Sequence, residues 1–228
     1  MAQSDPRAMN IERLEKIVEF NLYPVRYIHS SWLEALEFAQ IVDALKGHEQ
    51  SHFYLSGYLL NSLNIDDSFD STFDTADKII ALGSSEELGK LVLYMGIVQN
   101  EAVIRNVIRG DQREKLEACL GDEAYFFAVK KAQFLAKKND TASPEFLIDW
   151  QQVGRFKSYL IVSGLKVLAT VYEGLSQGFI QRLSLKFPRS WSKHLERLDS
   201  NGLSKQQGIN LLIKSYKEVN KQWQHQLS

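Results

Sequence analysis

Apolar residues recur every three or four positions along almost the whole chain, the spacing that lays one stripe down a helix, and strand-like alternation is hard to find. Four prolines, at positions 6, 24, 144 and 188, interrupt the pattern. A first helix is predicted over residues 11–20, ended by Asn21-Leu22-Tyr23-Pro24, because a residue before proline is pushed out of the helical region. A second is predicted from Ser30 or Ser31 as N-cap, with Glu34 placed to complete a capping box, to Leu45 ahead of Gly47. Leu33, Leu36 and Ala39-Gln40-Ile41 then share one face. A third helix, rich in aromatic and aliphatic residues, covers 51–60, and the acidic stretch 66–77 reads as a surface loop and helix start. Ser84-Ser85-Glu86-Glu87 caps a long helix through Leu91, Leu93, Val98 and Ile104 that stops near Gly110. Such residues contribute about 1.5–3 kcal/mol each when buried, which marks this as a core helix.

Shorter helices follow over 112–119 and 122–138. The clearest linker, 139–144, combines Asn-Asp, Thr, Ala, Ser and Pro. Beyond it, 145–181 keeps helical periodicity with Gly154, Gly164, Gly174 and Gly178 spaced through it, which predicts two or three helices in close contact. The polar segment 190–204 precedes a last amphipathic helix over 205–224. The fold expected is all-α: one compact multi-helix domain over residues 1–228, with two helical sub-lobes divided at 139–144 as the alternative.

Composition narrows the classes. The chain has 228 residues, 44% apolar and 24% charged, enough to bury a substantial core and unlike a disordered or fibrous protein. Cys119 is the one cysteine, so neither an intramolecular disulfide nor a cysteine-rich metal cage is expected, and a reducing compartment fits best. Residues 1–10 lack the apolar core of a secretory signal, and the longest apolar runs fall far short of the ~20 residues that span a bilayer. The net charge of −1 hides an asymmetry: residues 1–114 hold 10 Lys and Arg against 18 Asp and Glu (−8), residues 115–228 hold 17 against 10 (+7). Two ends of unlike charge suit different partners, or pair with each other.

His48-Glu49-Gln50-Ser51-His52 reads as H-E-x-x-H, in which two histidines one helical turn apart ligate zinc and the glutamate activates the bound water. Gly47 just before it places His48 at or ahead of the helix start, where that geometry is least assured. Ser51 stands where a core residue belongs, and no third ligand follows at fixed spacing, although Asp66, Asp67 and Asp70 are within chain reach. A zinc-dependent hydrolase is therefore the rival reading. The aspartates at 66, 67, 70, 74 and 77 lack the central glycine and closing glutamate of a calcium loop and read as a solvated face. His29, His194 and His225 have no Ser, Cys or carboxylate at a revealing spacing. Nucleotide-binding glycine motifs are absent, and a near-neutral chain argues against nucleic acid. No cofactor is expected.

Three segments carry a resemblance. Phe20-Asn21-Leu22-Tyr23-Pro24-Val25-Arg26-Tyr27-Ile28-His29, then Gly96-Ile97-Val98 leading to Ile104-Arg105, then Arg182-Leu183-Ser184-Leu185-Lys186-Phe187-Pro188, together resemble the SctK family, the K subunits of type III secretion injectisomes. The resemblance implies a helical, non-enzymatic adaptor at the cytosolic face of the bacterial inner membrane. It would bridge the cytoplasmic domain of the inner-membrane ring protein SctD to the pod protein SctQ, which joins through SctL to the ATPase SctN, and would meet the membrane only through SctD. Tyr23, Pro24, Tyr27 and His29 are expected to form a rigid loop that either anchors the first two helices or meets a partner. Arg182, Lys186, Pro188 and Trp191 are expected at a partner surface, because Trp and Arg favour interfaces and the proline stops the helix beside them. A third reading is a secretion chaperone, which would bind secreted proteins instead.

Overall fold

Where this chain changes direction is set by which apolar side chains must reach the same cluster. The computed structural model describes residues 6–66, 68–136, 148–196 and 202–221. Among the described residues the chain is all-α, with no strand. In chain order the helices are α1 (Pro6–Leu22), α2 (Ser30–Leu33), α3 (Ala39–Leu45), α4 (His52–Ser62), α5 (Ala76–Ala81), α6 (Ser85–Gln99) and α7 (Glu101–Arg105). Then follow α8 (Gly110–Leu120), α9 (Asp122–Lys130), α10 (Ala132–Leu135), α11 (Val153–Val171), α12 (Gln177–Leu185), α13 (Ser192–Glu196) and α14 (Lys205–Val219). Short 3₁₀ turns lie at Pro24–Arg26, Glu49–Ser51 and Arg189–Trp191.

Two compact units emerge: one from the described residues of Met1–Leu88 and Gly174–Glu196, the other from those of Gly89–Glu173 and Arg197–Lys221. The linker expected at 139–144 lies outside the described residues. No helix among the described residues is long and apolar enough to cross a membrane.

In the first unit the helix expected from Ser30 to Leu45 is two helices. His29, not Ser30 or Ser31, is the N-cap, its ring accepting from the Ser31 N–H, and the chain tightens through i→i+3 bonds from Leu36 to Leu33 and from Ala39 to Leu36. A continuous helix would turn residue 42 about 180° away from residue 33. The break instead lets Val42 join Leu33, Val25, Leu55 and Leu59 in one buried cluster, leaving Ile41 facing outward. A second knot of Phe20, Phe73 and Phe179 packs ring against ring at 5.3–5.9 Å.

The start of α6 forms as expected: Ser84 accepts from the Glu87 N–H and the Glu87 carboxylate accepts from the Ser84 N–H, closing a capping box. In the second unit the long helix divides at Asn100, whose side-chain amide donates to the Gly96 carbonyl and to the Ser163 hydroxyl, so α6 ends and α7 begins there. Leu91, Val98 and Ile104 are buried as predicted, while Leu93 is half-buried. The long helix α11 buries Phe156, Leu160, Leu165 and Leu168, and α14, opened by a Ser204–Gln207 capping box, packs on it with Gly208 against Val171.

Candidate functional site

Two stretches some 155 residues apart in the chain lie side by side in the first unit. The Trp32 indole donates to the Phe187 carbonyl at 2.9 Å, the His29 N–H donates to the Leu185 carbonyl at 2.7 Å, and the Arg189 N–H donates to the Ser31 hydroxyl at 2.9 Å. The segments around Tyr23–His29 and Arg182–Trp191 therefore form a single assembly.

Its interior differs from the sequence expectation. Arg182 and Lys186 were placed at a partner surface, yet they are 2% and 4% exposed. The cause is the supply of free carbonyls at helix ends. The Arg182 guanidinium donates to the Asn21 carbonyl in the last turn of α1, to the Asp66 carbonyl beyond α4 and to the Gly178 carbonyl of its own helix, at 3.1, 2.8 and 3.2 Å. Gly178 leaves room for it, since a Cβ there would sit 2.8 Å from Nη1. The Lys186 ammonium donates to the Ala81 and Gly83 carbonyls at the end of α5, at 2.9 and 2.7 Å, and lies 5.5 and 5.2 Å from the Phe20 and Tyr27 ring centroids. Burial pushes the Lys186 pKa down to about 7, with Glu19 and Glu87 pulling the other way.

Pro24 is buried at the start of its turn, and the Tyr27 hydroxyl donates to the Phe20 carbonyl at 2.6 Å. Burial holds the Tyr27 phenol well above its ordinary range, against the pull of Arg182. At the rim, Tyr23 is half-buried under the Arg26 guanidinium, His29 and Pro188 are half-buried, and Trp191 stacks on Phe187 at 5.7 Å. Trp32 and Arg189, which the sequence did not single out, belong to the same rim, with Arg189 over the Trp32 ring. Asn21 is another residue the sequence undersold. It is fully buried, exchanging bonds with both the N–H and the carbonyl of Asp70, and so pins the acidic loop.

The H-E-x-x-H string does not lie on one helix. His48 is extended, outside the helix, and the 3₁₀ turn Glu49–Ser51 separates it from α4. Both ring nitrogens of His52 are engaged: Nδ1 accepts from Arg26 Nε at 3.1 Å, and Nε2 donates to the Lys46 carbonyl at 2.8 Å. Asp67 and His225 lie outside the described residues. Asp70 pairs with Lys78 at 2.9 Å. Burial alone would raise the Asp70 carboxyl, but bonds from Lys78 and Thr72 hold it below its ordinary value. Among the described residues no group of three His, Cys, Asp or Glu side chains is placed to hold a metal ion.

The sequence profile of a family described as YOP proteins translocation protein K (YscK) matches residues 16–228. The chain is similar in fold to the solved cytoplasmic domain of the type III secretion sorting platform protein PscK from P. aeruginosa. That likeness has a TM-score of 0.58 at 16% sequence identity and covers 90% of this chain and 94% of the other. No curated protein sequence matches the chain.

Proposed function

The chain belongs to the YscK family of type III secretion proteins, and from that membership we propose that it is a cytosolic adaptor of the injectisome sorting platform. In this role it links the cytoplasmic domain of the inner-membrane ring protein SctD to the pod protein SctQ, and through SctQ to SctL and the ATPase SctN. It reaches the cytosolic face of the inner membrane only through SctD, and acts as a single SctK-type domain. The family is one of secretion-apparatus components and not of enzymes. The observation that carries the reading is the extent of the family match, residues 16–228, which takes in all three signature segments.

The rim of the signature assembly supports a protein-binding role. Tyr23, His29, Pro188 and Trp191, with Trp32 and Arg189, give half-exposed aromatic and arginine anchors of the kind that dominate interface energetics. Arg182 and Lys186 serve that rim from beneath by fixing the helix ends that carry it.

Co-purification of the full chain with the SctQ and SctD homologues of the same bacterium tests the reading. Retention of both, with Trp191→Ala weakening one of them at least tenfold, is the expected result. Retention of secreted substrate proteins in place of SctQ and SctD would make the chain a chaperone and end the adaptor reading.

A further inference from the structure

The outer face of α3 and of the start of α4 is apolar where a solvent-facing helix is ordinarily polar. Phe38, the N-cap residue of α3, and Ile41 and Leu45 within the helix stand at i, i+3 and i+7 and are all exposed, while Val42 faces inward onto Leu55 and Leu59 of α4. Phe53 and Tyr54, in the first turn of α4, are 69% and 76% exposed, with their rings edge to face at 5.6 Å. These side chains are displayed on a braced scaffold. The Ser51 hydroxyl donates to the Leu45 carbonyl at 2.7 Å, His52 donates to the Lys46 carbonyl at 2.8 Å, and the Phe38 ring centroid lies 6.0 Å from that of Tyr58. Exposed large apolar side chains held in place in this way mark an interaction surface.

Charge says what kind. Residues 34–54 hold four carboxylates, Glu34, Glu37, Asp43 and Glu49, against the single cation Lys46. Lys46 pairs with Asp43 at 2.6 Å. Glu34, Glu37 and Glu49 are exposed and take part in none of the ion pairs among the described residues. The outward stripe of α1, Ile11, Leu14, Val18 and Leu22, is the contrast: residues 11–26 hold three carboxylates, Glu12, Glu15 and Glu19, against three cations, Arg13, Lys16 and Arg26, so it specifies no partner charge. At the α3–α4 face, large apolar side chains stand beside carboxylates that no ion pair among the described residues compensates.

We propose that this face docks a basic amphipathic helix of a partner protein. The apolar stripe of that helix would cover Phe38, Ile41, Leu45, Phe53 and Tyr54, and its lysines and arginines would meet Glu34, Glu37 and Glu49. A helix fits because side chains at i, i+3 and i+7 form the apolar seam along which one helix packs on another. The carboxylates set association rate and salt dependence, and the aromatic pair carries most of the affinity. The proposal rests on the adaptor reading for the existence of a partner and deepens it by giving the chemistry of one.

The test uses the full chain and two designed 18-residue helices that share a leucine stripe and differ only in flanking residues, all Lys in one and all Glu in the other. Fluorescence anisotropy should show the Lys helix binding at least tenfold tighter than the Glu helix, with the difference shrinking at high salt. Phe53→Ser with Tyr54→Ser should weaken the Lys helix at least tenfold, and both residues are exposed enough to leave the circular dichroism spectrum unchanged. Glu34→Lys, Glu37→Lys and Glu49→Lys together should invert the preference. Equal affinity for the two helices, or binding untouched by the aromatic substitutions, overturns the proposal. So does a concentration-dependent dimer that Phe53→Ser with Tyr54→Ser dissolves, since a second copy would then own the face. The adaptor reading fails separately, through loss of SctQ and SctD homologues from the purification while the Lys helix still binds.

Discussion

Gly96 of α6 and Gly164 of α11 meet backbone to backbone. A Cβ at Gly96 would lie 1.8 Å from the Leu160 carbonyl oxygen, and one at Gly164 would lie 1.9 Å from the Val92 carbonyl oxygen. Neither obstacle is a side chain that can swing aside, so the crossing exists only because both positions lack a side chain. This gives a physical role to the glycine in the Gly96 to Arg105 segment, which the sequence marks without explaining.

Gly96→Ala and Gly164→Ala should each lower stability by about 1–3 kcal/mol or more, the range for overpacking a tight core. For a chain of this size that is a fall in melting temperature of roughly 2–4 °C per kcal/mol. Gly89→Ala is the matched control within α6: a Cβ there meets no atom within 4 Å, so it should gain roughly 0.5–1 kcal/mol from helix propensity. Thermal melts that rank Gly96→Ala with Gly89→Ala would remove the close crossing.

Lys186 ties stability to pH. Its unfolded form holds a proton up to about 10.5 and its folded form only to about 7. Between those values unfolding takes up a proton, so the folded state gains as pH rises, by at most roughly 1.4 kcal/mol per unit. Below about 7 both states are charged and the slope vanishes. Urea titrations from pH 7 to 9 should show this rise in the wild type and not in Lys186→Met, and the difference between the two removes the contribution of other groups. Parallel pH profiles would place Lys186 in contact with water.

Local sequence was enough to read the all-α class, the helix cap within Ser84–Glu87 and the turn at Tyr23–Pro24, because each depends on residues within one or two helical turns. The division of the predicted 30–45 helix was hidden, since it follows from Val42 reaching Leu33 and Leu59 in space. The same holds at Asn100, whose partner Ser163 is 63 residues away. Arg182 and Lys186 misled for a related reason. The preference of Trp and Arg for interfaces, beside a helix-stopping proline, suggested a surface, while the carbonyls that draw Arg182 and Lys186 inside belong to Asn21, Asp66, Ala81 and Gly83, more than 100 residues off. Ile41 was assigned to the face of Leu33 and Leu36, and the exposed side chains at 38, 45, 53 and 54 were passed over, because apolar spacing alone does not tell an inward stripe from an outward one.

Arg182→Lys should be costly despite keeping the charge. One ammonium cannot reach carbonyls on three segments that the planar fork spans, and each hydrogen bond lost to a charged donor costs about 1.5–3 kcal/mol. Arg182→Met should cost more and should expose the loop after Asp66, whose carbonyl it leaves without that donor. Denaturation midpoints and the rate of proteolytic cutting near residue 66 measure both effects. A wild-type midpoint for Arg182→Lys would show that the guanidinium geometry does not matter.

His52 separates the two chemical readings of the H-E-x-x-H string. As a brace it accepts from Arg26 and donates to Lys46, so His52→Ala should cost about 1 kcal/mol for the pair of part-exposed bonds. His48→Ala should cost less, because the His48 side chain caps nothing. As a zinc ligand His52 would instead make stability depend on the metal: chelation would lower the melting temperature of the wild type and leave His52→Ala unchanged, since binding to the folded state alone stabilises it by mass action. The brace predicts melting curves that chelator does not move in either protein, with a constant gap between them. Stoichiometric zinc that leaves with His52 would return the hydrolase to consideration.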